Sequence, residues 1–97
     1  MGVTESILPV LLLTGASTGL GLAMARHLRH RPMRLILTAR RESMGRFAKE
    51  GFEESGTVHL RELEVTDAGQ RRRLVEEANG SWGGIDVLIN KIGRAHV

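Results

Sequence analysis

The residues best suited to chemistry form a glycine-rich segment near the start of the chain, Thr14-Gly15-Ala16-Ser17-Thr18-Gly19-Leu20-Gly21. An apolar run precedes it and apolar residues recur at helical spacing behind it, which predicts a buried strand, a tight turn and a helix. Glycine lets the backbone approach a ligand without a Cβ clash. The free N–H groups and positive dipole end of the following helix attract an anion. Because Ser17 and Thr18 add hydroxyl donors, the turn is suited to binding a pyrophosphate.

The spacing of the glycines excludes two common phosphate-binding motifs. The pattern is Thr-Gly-x-x-x-Gly-x-Gly, and the common fingerprint G-x-G-x-x-G is absent because Met24 stands where its last glycine would be. A P-loop is excluded because Gly21 occupies the position of its lysine. A plain connection between strand and helix, without a ligand, is the alternative interpretation of this turn.

The arginines are clustered along the sequence, as in many proteins that bind nucleic acid. The chain has a net charge of +3 and an isoelectric point near 10.6, and its arginines cluster at 26–31, 40–41 and 71–73. A basic patch is typical of a phosphate partner. One Trp, two Phe and no Tyr, however, provide no stacking platform for single strands. We therefore interpret most of these arginines as solvated helix faces and ends, and expect no nucleic-acid partner.

Strand and helix patterns alternate along the chain. The predicted strands are Leu8–Leu13, Leu35–Ala39, Thr57–Leu63 and Ile85–Ile89. The predicted helices are Thr18 to about His30, Ser43 to Glu50, and a third that begins at Asp67 and ends at Asn79-Gly80.

Side-chain patterns refine the first and third helices. Asp67 and Gln70 predict a capping box at the start of the third helix, and we interpret Trp82 and Asp86 as structural residues at the following turn and strand. In the first helix Leu20, Ala23, Met24 and Leu28 recur at helical spacing, and in the third helix Leu74, Val75 and Ala78 are the predicted buried stripe.

Right-handed crossovers would join the four strands into a parallel sheet of order 3-2-1-4, the first part of a doubly wound α/β domain. In such sheets the ligand lies beyond the carboxyl ends of the strands, where the strand order reverses. The candidate residues all follow predicted strands at that edge: Gly15 to Gly21, Arg40 and Arg41, Glu64 to Asp67, and Asn90.

Three segments together resemble the short-chain dehydrogenase/reductase family. They are Thr14-Gly15-x-x-x-Gly19-x-Gly21, Leu63-Glu64-Val65-Thr66-Asp67 and Gly84-Ile85-Asp86-Val87-Leu88-Ile89-Asn90. The resemblance extends from about Leu8 to Asn90. It implies a Rossmann fold, binding of NAD or NADP, and hydride transfer to or from a carbonyl or alcohol.

The resemblance also implies roles for individual residues. The cofactor phosphates and ribose would contact Gly15, Ser17, Gly19, Leu20 and Gly21, with Thr18 in the same turn. Glu64 and Val65 would line the adenine pocket, although the family usually has Asp at the first position and a surface acid is the alternative for Glu64. Asn90 matches the first Asn of the family's Asn-Asn-Ala-Gly motif, which Lys91 and Ile92 break. We interpret Asp67 as a helix cap.

The end of the second strand predicts the cofactor. An acid there accepts from the ribose 2′-OH of NAD, whereas an arginine accommodates the 2′-phosphate of NADP. This strand ends Thr38-Ala39-Arg40-Arg41, with no acid before Glu42. Because a guanidinium is a permanently charged fork suited to phosphate, we predict NADP, with NAD less favoured. The alternative is that these arginines only cap the turn.

Two functions remain open for this chain. The first is the cofactor-binding part of an NADP-dependent oxidoreductase acting on a small carbonyl or alcohol, for which the family implies a homo-oligomer. Its catalytic Tyr-x-x-x-Lys is not present, since the chain has no tyrosine. The second is a non-catalytic nucleotide-binding or interaction fragment.

The amino-acid composition indicates the broad class of protein. Hydrophobic residues make up 41% and charged residues 26% of the chain, as in a globular protein. No cysteine is present, and the four histidines lack ligand-like spacing, so we expect neither a disulfide nor a metal site. No apolar run is long enough for a bilayer and no signal peptide is recognisable, so we expect a cytoplasmic protein without a membrane partner.

The predicted boundary between the domain and the C-terminal tail lies after Asn90. We predict that residues 1–90 form the N-terminal part of an NAD(P)-binding Rossmann domain. Residues 91–97 end in Ile92-Gly93-Arg94-Ala95-His96-Val97, which resembles a translated sequencing-library adapter. We therefore expect this tail to be non-native and the natural gene to continue from Asn90.

Overall fold

A computed structural model describes residues 8–90. It contains one parallel sheet of four strands in the order β3-β2-β1-β4, which confirms the predicted α/β architecture and strand order. The strands are β1 Val10–Leu13, β2 Arg34–Ala39, β3 Val58–Glu62 and β4 Val87–Ile89. The helices are α1 Gly19–Leu28, α2 Gly45–Lys49 and α3 Ala68–Trp82, with a short 3-10 helix at Arg41–Ser43.

The centre of the sheet forms because its two middle strands are apolar and covered on both faces. Every residue of β1 and β2 is buried, the pattern expected of parallel strands between helices. Leu13 lies between Leu37 of β2 and Ile89 of β4 in the register of the sheet. The carboxyl ends of three neighbouring strands therefore meet at one edge.

Alternation along the strands separates two hydrophobic clusters. Leu11 and Leu13 pack on one face, in a cluster with Ala25 of α1 and Phe47 of α2. Val10 and Leu12 contribute to the other face, in a cluster with Ile36, Leu63, Leu74 and Ala78. Helices α1 and α2 thus cover one face of the sheet, and α3 covers part of the other.

The apolar positions of α1 and α3 are not all buried. In α1 the buried residues are Gly21 and Ala25, whereas Leu20 is 62% exposed. In α3, Leu74 and Ala78 are buried as predicted, but Val75 is 43% exposed. Leu20 is exposed because it lies in the first turn of α1, at the edge where the glycine-rich turn meets solvent.

The bounds of the helices also differ from the prediction. The second helix divides into the 3-10 segment and the five-residue α2. Helix α3 continues through Asn79 and Gly80 to Trp82. It ends where Gly83 adopts a φ of 81°, a left-handed conformation that glycine accepts without a Cβ penalty. Gly80 is tolerated within the helix, since one glycine costs only about 1 kcal/mol relative to alanine.

Asp86 fixes the start of β4 against the start of β1. Its Oδ2 accepts from the Val10 N–H at 2.8 Å, and its own N–H donates to the Val10 carbonyl at 2.8 Å. The structural interpretation of Asp86 is therefore confirmed. Within the described sheet β4 is an edge strand, and Leu88 is 60% exposed.

Trp82 joins α3 to the sheet. Its indole contacts the His59 ring, with 3.8 Å between the ring centroids, and the guanidinium of Arg34 lies 5.3 Å from the centroid of the indole. The structural interpretation of Trp82 is therefore also confirmed, although Trp82 is the last residue of α3 and does not lie in the following turn. None of the helices between residues 8 and 90 has the length and apolar character that crossing a membrane requires.

Candidate functional site

The glycine-rich turn between β1 and α1 is held at the carboxyl edge of the sheet. Gly15 and Gly19 adopt φ values of 60° and 57°, in the left-handed region that favours glycine. The Ala16 N–H donates to the Thr38 carbonyl at 2.9 Å, which joins the turn to the end of β2. The turn is therefore fixed by neighbouring strands.

Two glycines of the turn have different structural roles. A Cβ added to Gly21 would lie 2.0 Å from the Gly15 carbonyl oxygen, so only glycine allows α1 to pack against the turn. A Cβ added to Gly19 would have no atom of residues 8–90 within 4 Å. Gly19 thus borders open space in which a side chain would occupy the room available to a ligand.

The other residues of the turn differ in exposure. Ser17 is buried, whereas Thr18 and Leu20 are exposed. Thr18 is the N-cap of α1, but its hydroxyl makes no capping hydrogen bond. The first turn of α1 contains no acidic residue, so its N–H groups and positive dipole end keep their attraction for an anion.

Arg40 and Arg41 follow β2 and are both exposed. Arg40 pairs with Glu42 at 3.5 Å, and Arg41 pairs with Glu62 at 3.8 Å. Exposed pairs of this length contribute little to stability. The two guanidinium groups are therefore accessible to a stronger anion.

The loop between β3 and α3 contains Glu64 and Val65, both half-buried. The Glu64 carboxylate accepts from the Thr66 hydroxyl at 3.2 Å. Asp67 caps α3 by accepting from the Gln70 N–H at 3.0 Å, as predicted. The reciprocal half of the capping box is wrong, because the Gln70 side chain accepts from the Glu64 N–H at 2.7 Å instead.

Asn90 joins the ends of β1 and β4. The Thr14 hydroxyl donates to Asn90 Oδ1 at 2.8 Å, and the Thr14 N–H donates to the Ile89 carbonyl at 3.0 Å. A cleft of about 340 Å³ opens beside them. Its lining includes Thr14, Val65, Arg71, Leu88 and Asn90.

Sequence reasoning missed two residues of this edge. Gln70 was interpreted only as part of a capping box, and Arg71 only as part of a solvated arginine cluster. The structure places both against the loop, where Arg71 donates to the Val65 carbonyl. Their position in the first turn of α3, directly after the predicted loop, was the available signal.

The groups whose pKa values are shifted lie in a different cluster, between β3 and α3. Burial lowers the pKa of His59, and the Arg61 guanidinium lowers it further, against the opposing effects of Glu54 and Glu77. Arg61 donates to Glu54 and to Glu77, each at 2.6 Å. The hydrogen bond from Arg61 lowers the pKa of Glu77. These groups connect the sheet to α3 and its preceding loop.

The site thus combines an open glycine turn, the start of a helix, two accessible arginines and a half-buried acid at one edge of the sheet. This set is suited to an elongated anion. Among residues 8–90, no group of three or more His, Asp or Glu is arranged to hold a metal ion.

Comparison with known proteins identifies the class. A family model described as short chain dehydrogenase matches residues 9–97. The chain therefore belongs to the short-chain dehydrogenase/reductase family, as the sequence motifs predicted.

Individual relatives agree with this assignment. The chain is 39% identical over 92 residues to a protein of Streptomyces violaceoruber named as a ketoacyl reductase of the granaticin polyketide synthase, covering 90% of this chain and 32% of that protein. It is 36% identical over 88 residues to carbonyl reductase [NADPH] 1 of Bos taurus, covering 89% and 32%. The chain thus spans about a third of the length of these relatives.

Solved structures share the fold. A short-chain dehydrogenase from Streptomyces avermitilis superposes with a TM-score of 0.78 at 30% identity, covering 93% of this chain and 32% of that chain. A variant of the actinorhodin polyketide ketoreductase crystallised with NADPH gives a TM-score of 0.77 at 30% identity, covering 95% and 36%.

Proposed function

We propose that this chain is the cofactor-binding part of an NADP-dependent oxidoreductase that reduces a small carbonyl compound or oxidises the corresponding alcohol. The observation that carries the proposal is the open space at Gly19, at the start of a helix with no acid in its first turn. A pyrophosphate fits such a site because backbone can approach it and N–H groups face it.

Residues of the turn would hold the phosphates and the ribose. Thr18 offers a hydroxyl that makes no capping hydrogen bond within residues 8–90, and Leu20 offers an exposed apolar surface. The buried Ser17 and the tightly packed Gly21 would act mainly by shaping the turn, and Gly15 by supplying its left-handed bend. When bound, the cofactor supplies the hydride that the reaction transfers.

Residues from the neighbouring strands would hold the rest of the cofactor. Arg40 and Arg41 would bind the 2′-phosphate, and Glu64 and Val65 would line the adenine pocket. Asn90 would maintain the edge of the site through its hydrogen bond with Thr14. The NADPH in the names of the bovine relative and of the ketoreductase structure supports this choice.

The substrate class follows from the same relatives, whose names include carbonyl reductase and ketoreductase. We assign no catalytic residue within this chain, which contains no tyrosine. We expect the whole protein to form a homo-oligomer. NADPH-dependent reduction of a carbonyl compound by the protein expressed from its natural gene would distinguish an oxidoreductase from a non-catalytic nucleotide-binding protein.

Calorimetric titration of that protein with NADP⁺ tests the site through Gly19→Val. A branched side chain at Gly19 would fill the open space, so we expect NADP⁺ binding to be lost. The matched control is Gly83→Val, because Gly83 also has a left-handed φ, of 81°, and open space at its Cβ. The left-handed conformation costs about 1–2 kcal/mol for a residue with a Cβ in either variant. Equal binding of NADP⁺ by the two variants would refute the pyrophosphate site.

A further inference from the structure

The loop between β3 and α3 is held by side chains from the helix that follows it. The Glu64 N–H donates to Gln70 Oε1 at 2.7 Å, and the Arg71 guanidinium donates to the Val65 carbonyl. Two consecutive residues of α3 thus bind the peptide groups on either side of the Glu64-Val65 pair. The Asp67 N–H adds a hydrogen bond to the Glu64 carbonyl at 2.8 Å.

Arg71 differs from Arg72 and Arg73, its neighbours on the same helix, because its guanidinium donates a hydrogen bond to the backbone of the loop. Within residues 8–90 none of these three arginines forms an ion pair with a carboxylate. Arg71 also lines the 340 Å³ cleft together with Val65 and Asn90. Arg72 and Arg73 are equally exposed neighbours on the same helix, and neither lines this cleft. The Arg71 guanidinium, a rigid group with several N–H donors, therefore stabilises the conformation of the loop.

We propose that Gln70 and Arg71 are positioning residues for adenine recognition, an inference that rests on the proposed cofactor site. Gln70 fixes the peptide group before the Glu64 side chain, and Arg71 fixes the peptide group after Val65. Their joint effect is to orient the Glu64 carboxylate, which also accepts from Thr66. A carboxylate held in this way accepts from an exocyclic amine such as that of adenine.

The experiment compares NADP⁺ with its hypoxanthine analogue, which carries a carbonyl oxygen in place of the adenine amine. Isothermal titration of the protein expressed from its natural gene gives the ratio of the two affinities. We expect the wild-type protein to prefer NADP⁺ by about tenfold to a hundredfold, the range for one hydrogen bond to a charged group. Arg71→Met removes the donor and keeps much of the stem, so this ratio should fall to near one.

Control variants separate positioning from general damage to the fold. Arg72→Met removes the same charge from the neighbouring position and should keep the wild-type ratio. Arg71→Lys keeps a donor and should retain most of the preference. A variant that merely loosened the fold would weaken binding of both ligands by the same factor and leave the ratio unchanged.

The outcomes distinguish the two proposals. If the wild-type protein binds NADP⁺ with the stated preference and Arg71→Met retains it, the positioning role is wrong and the cofactor site stands. A wild-type ratio near one would also overturn the positioning role, because no amine recognition would exist for it to support. If the wild-type protein does not bind NADP⁺, both proposals are wrong.

Discussion

The preference for NADP should depend on the two arginines that follow β2. Arg40 and Arg41 are exposed, and their carboxylate partners Glu42 and Glu62 lie 3.5 and 3.8 Å away. A 2′-phosphate would compete with these carboxylates for the guanidinium groups. Since exposed ion pairs contribute about 0–1 kcal/mol, the competition costs the phosphate little.

The size of the effect can be worked from these contacts. A hydrogen bond to a charged group contributes about 1.5–3 kcal/mol, and giving up an exposed pair offsets about 0–1 kcal/mol of this. The remainder is roughly 0.5–3 kcal/mol for each arginine, or about 1–6 kcal/mol for the two together. Because about 1.4 kcal/mol is tenfold in affinity, the variant with both Arg40→Ala and Arg41→Ala should bind NADP⁺ at least about fivefold more weakly, and tenfold or more over most of this range.

Calorimetric titration with NADP⁺ and NAD⁺ measures both affinities on the same preparation. The affinity for NAD⁺ should remain nearly unchanged, because NAD⁺ lacks the 2′-phosphate. The control removes two other exposed arginines, Arg31→Ala with Arg46→Ala, and reproduces the change in net charge. Equal losses for the two cofactors, or an equal loss of NADP⁺ binding in the control, would refute the assignment of these arginines to the 2′-phosphate.

Two further predictions concern the fold. Gly21→Ala should strongly lower the free energy of unfolding measured in urea, because the new Cβ would lie 2.0 Å from the Gly15 carbonyl oxygen. The control is Gly80→Ala, whose new Cβ has no atom of residues 8–90 within 4 Å. Equal stability of the two variants would contradict the prediction. The lowered pKa of His59 means that the unfolded chain binds the proton more readily, so stability should fall as pH drops below about 6.5. His59→Gln should remove that part of the pH dependence. The variant should still lose stability as the pH falls below about 4.5, because the pKa of Glu77 is lowered in the folded protein.

The sheet could be predicted from the sequence because its signals are strong and local. The apolar runs of β1 and β2 are too short for buried helices and are bounded by Pro, Gly or charged residues, and right-handed crossovers leave few arrangements of four strands. The helix patterns were weaker. Val75 has the apolar character and spacing of the predicted stripe of α3, yet it is 43% exposed in the structure. Side-chain type and spacing do not specify which way a helix is rotated against the sheet.

The candidate site was predictable in place but not in detail. Strand ends were enough to bring Gly19, Arg40, Glu64 and Asn90 to one edge. The hydrogen bonds that shape that edge depend on side-chain directions that the sequence does not specify. Gln70 is the clearest case, since the capping-box spacing is present but its oxygen accepts from Glu64 rather than from the cap.

The glycine-rich motif supports the fold and the cofactor through different residues. Gly21 is required by contact with Gly15, and Thr14 is committed to Asn90 and Ile89. These positions would be needed in any protein that builds this turn, whether or not it binds a ligand. Gly19 differs, because nothing within the described chain occupies the space beside it. A pyrophosphate would therefore depend on Gly19 and on the Thr18 hydroxyl, which makes no capping hydrogen bond among the described residues. Gly19→Val is the substitution that separates a binding turn from a merely structural one.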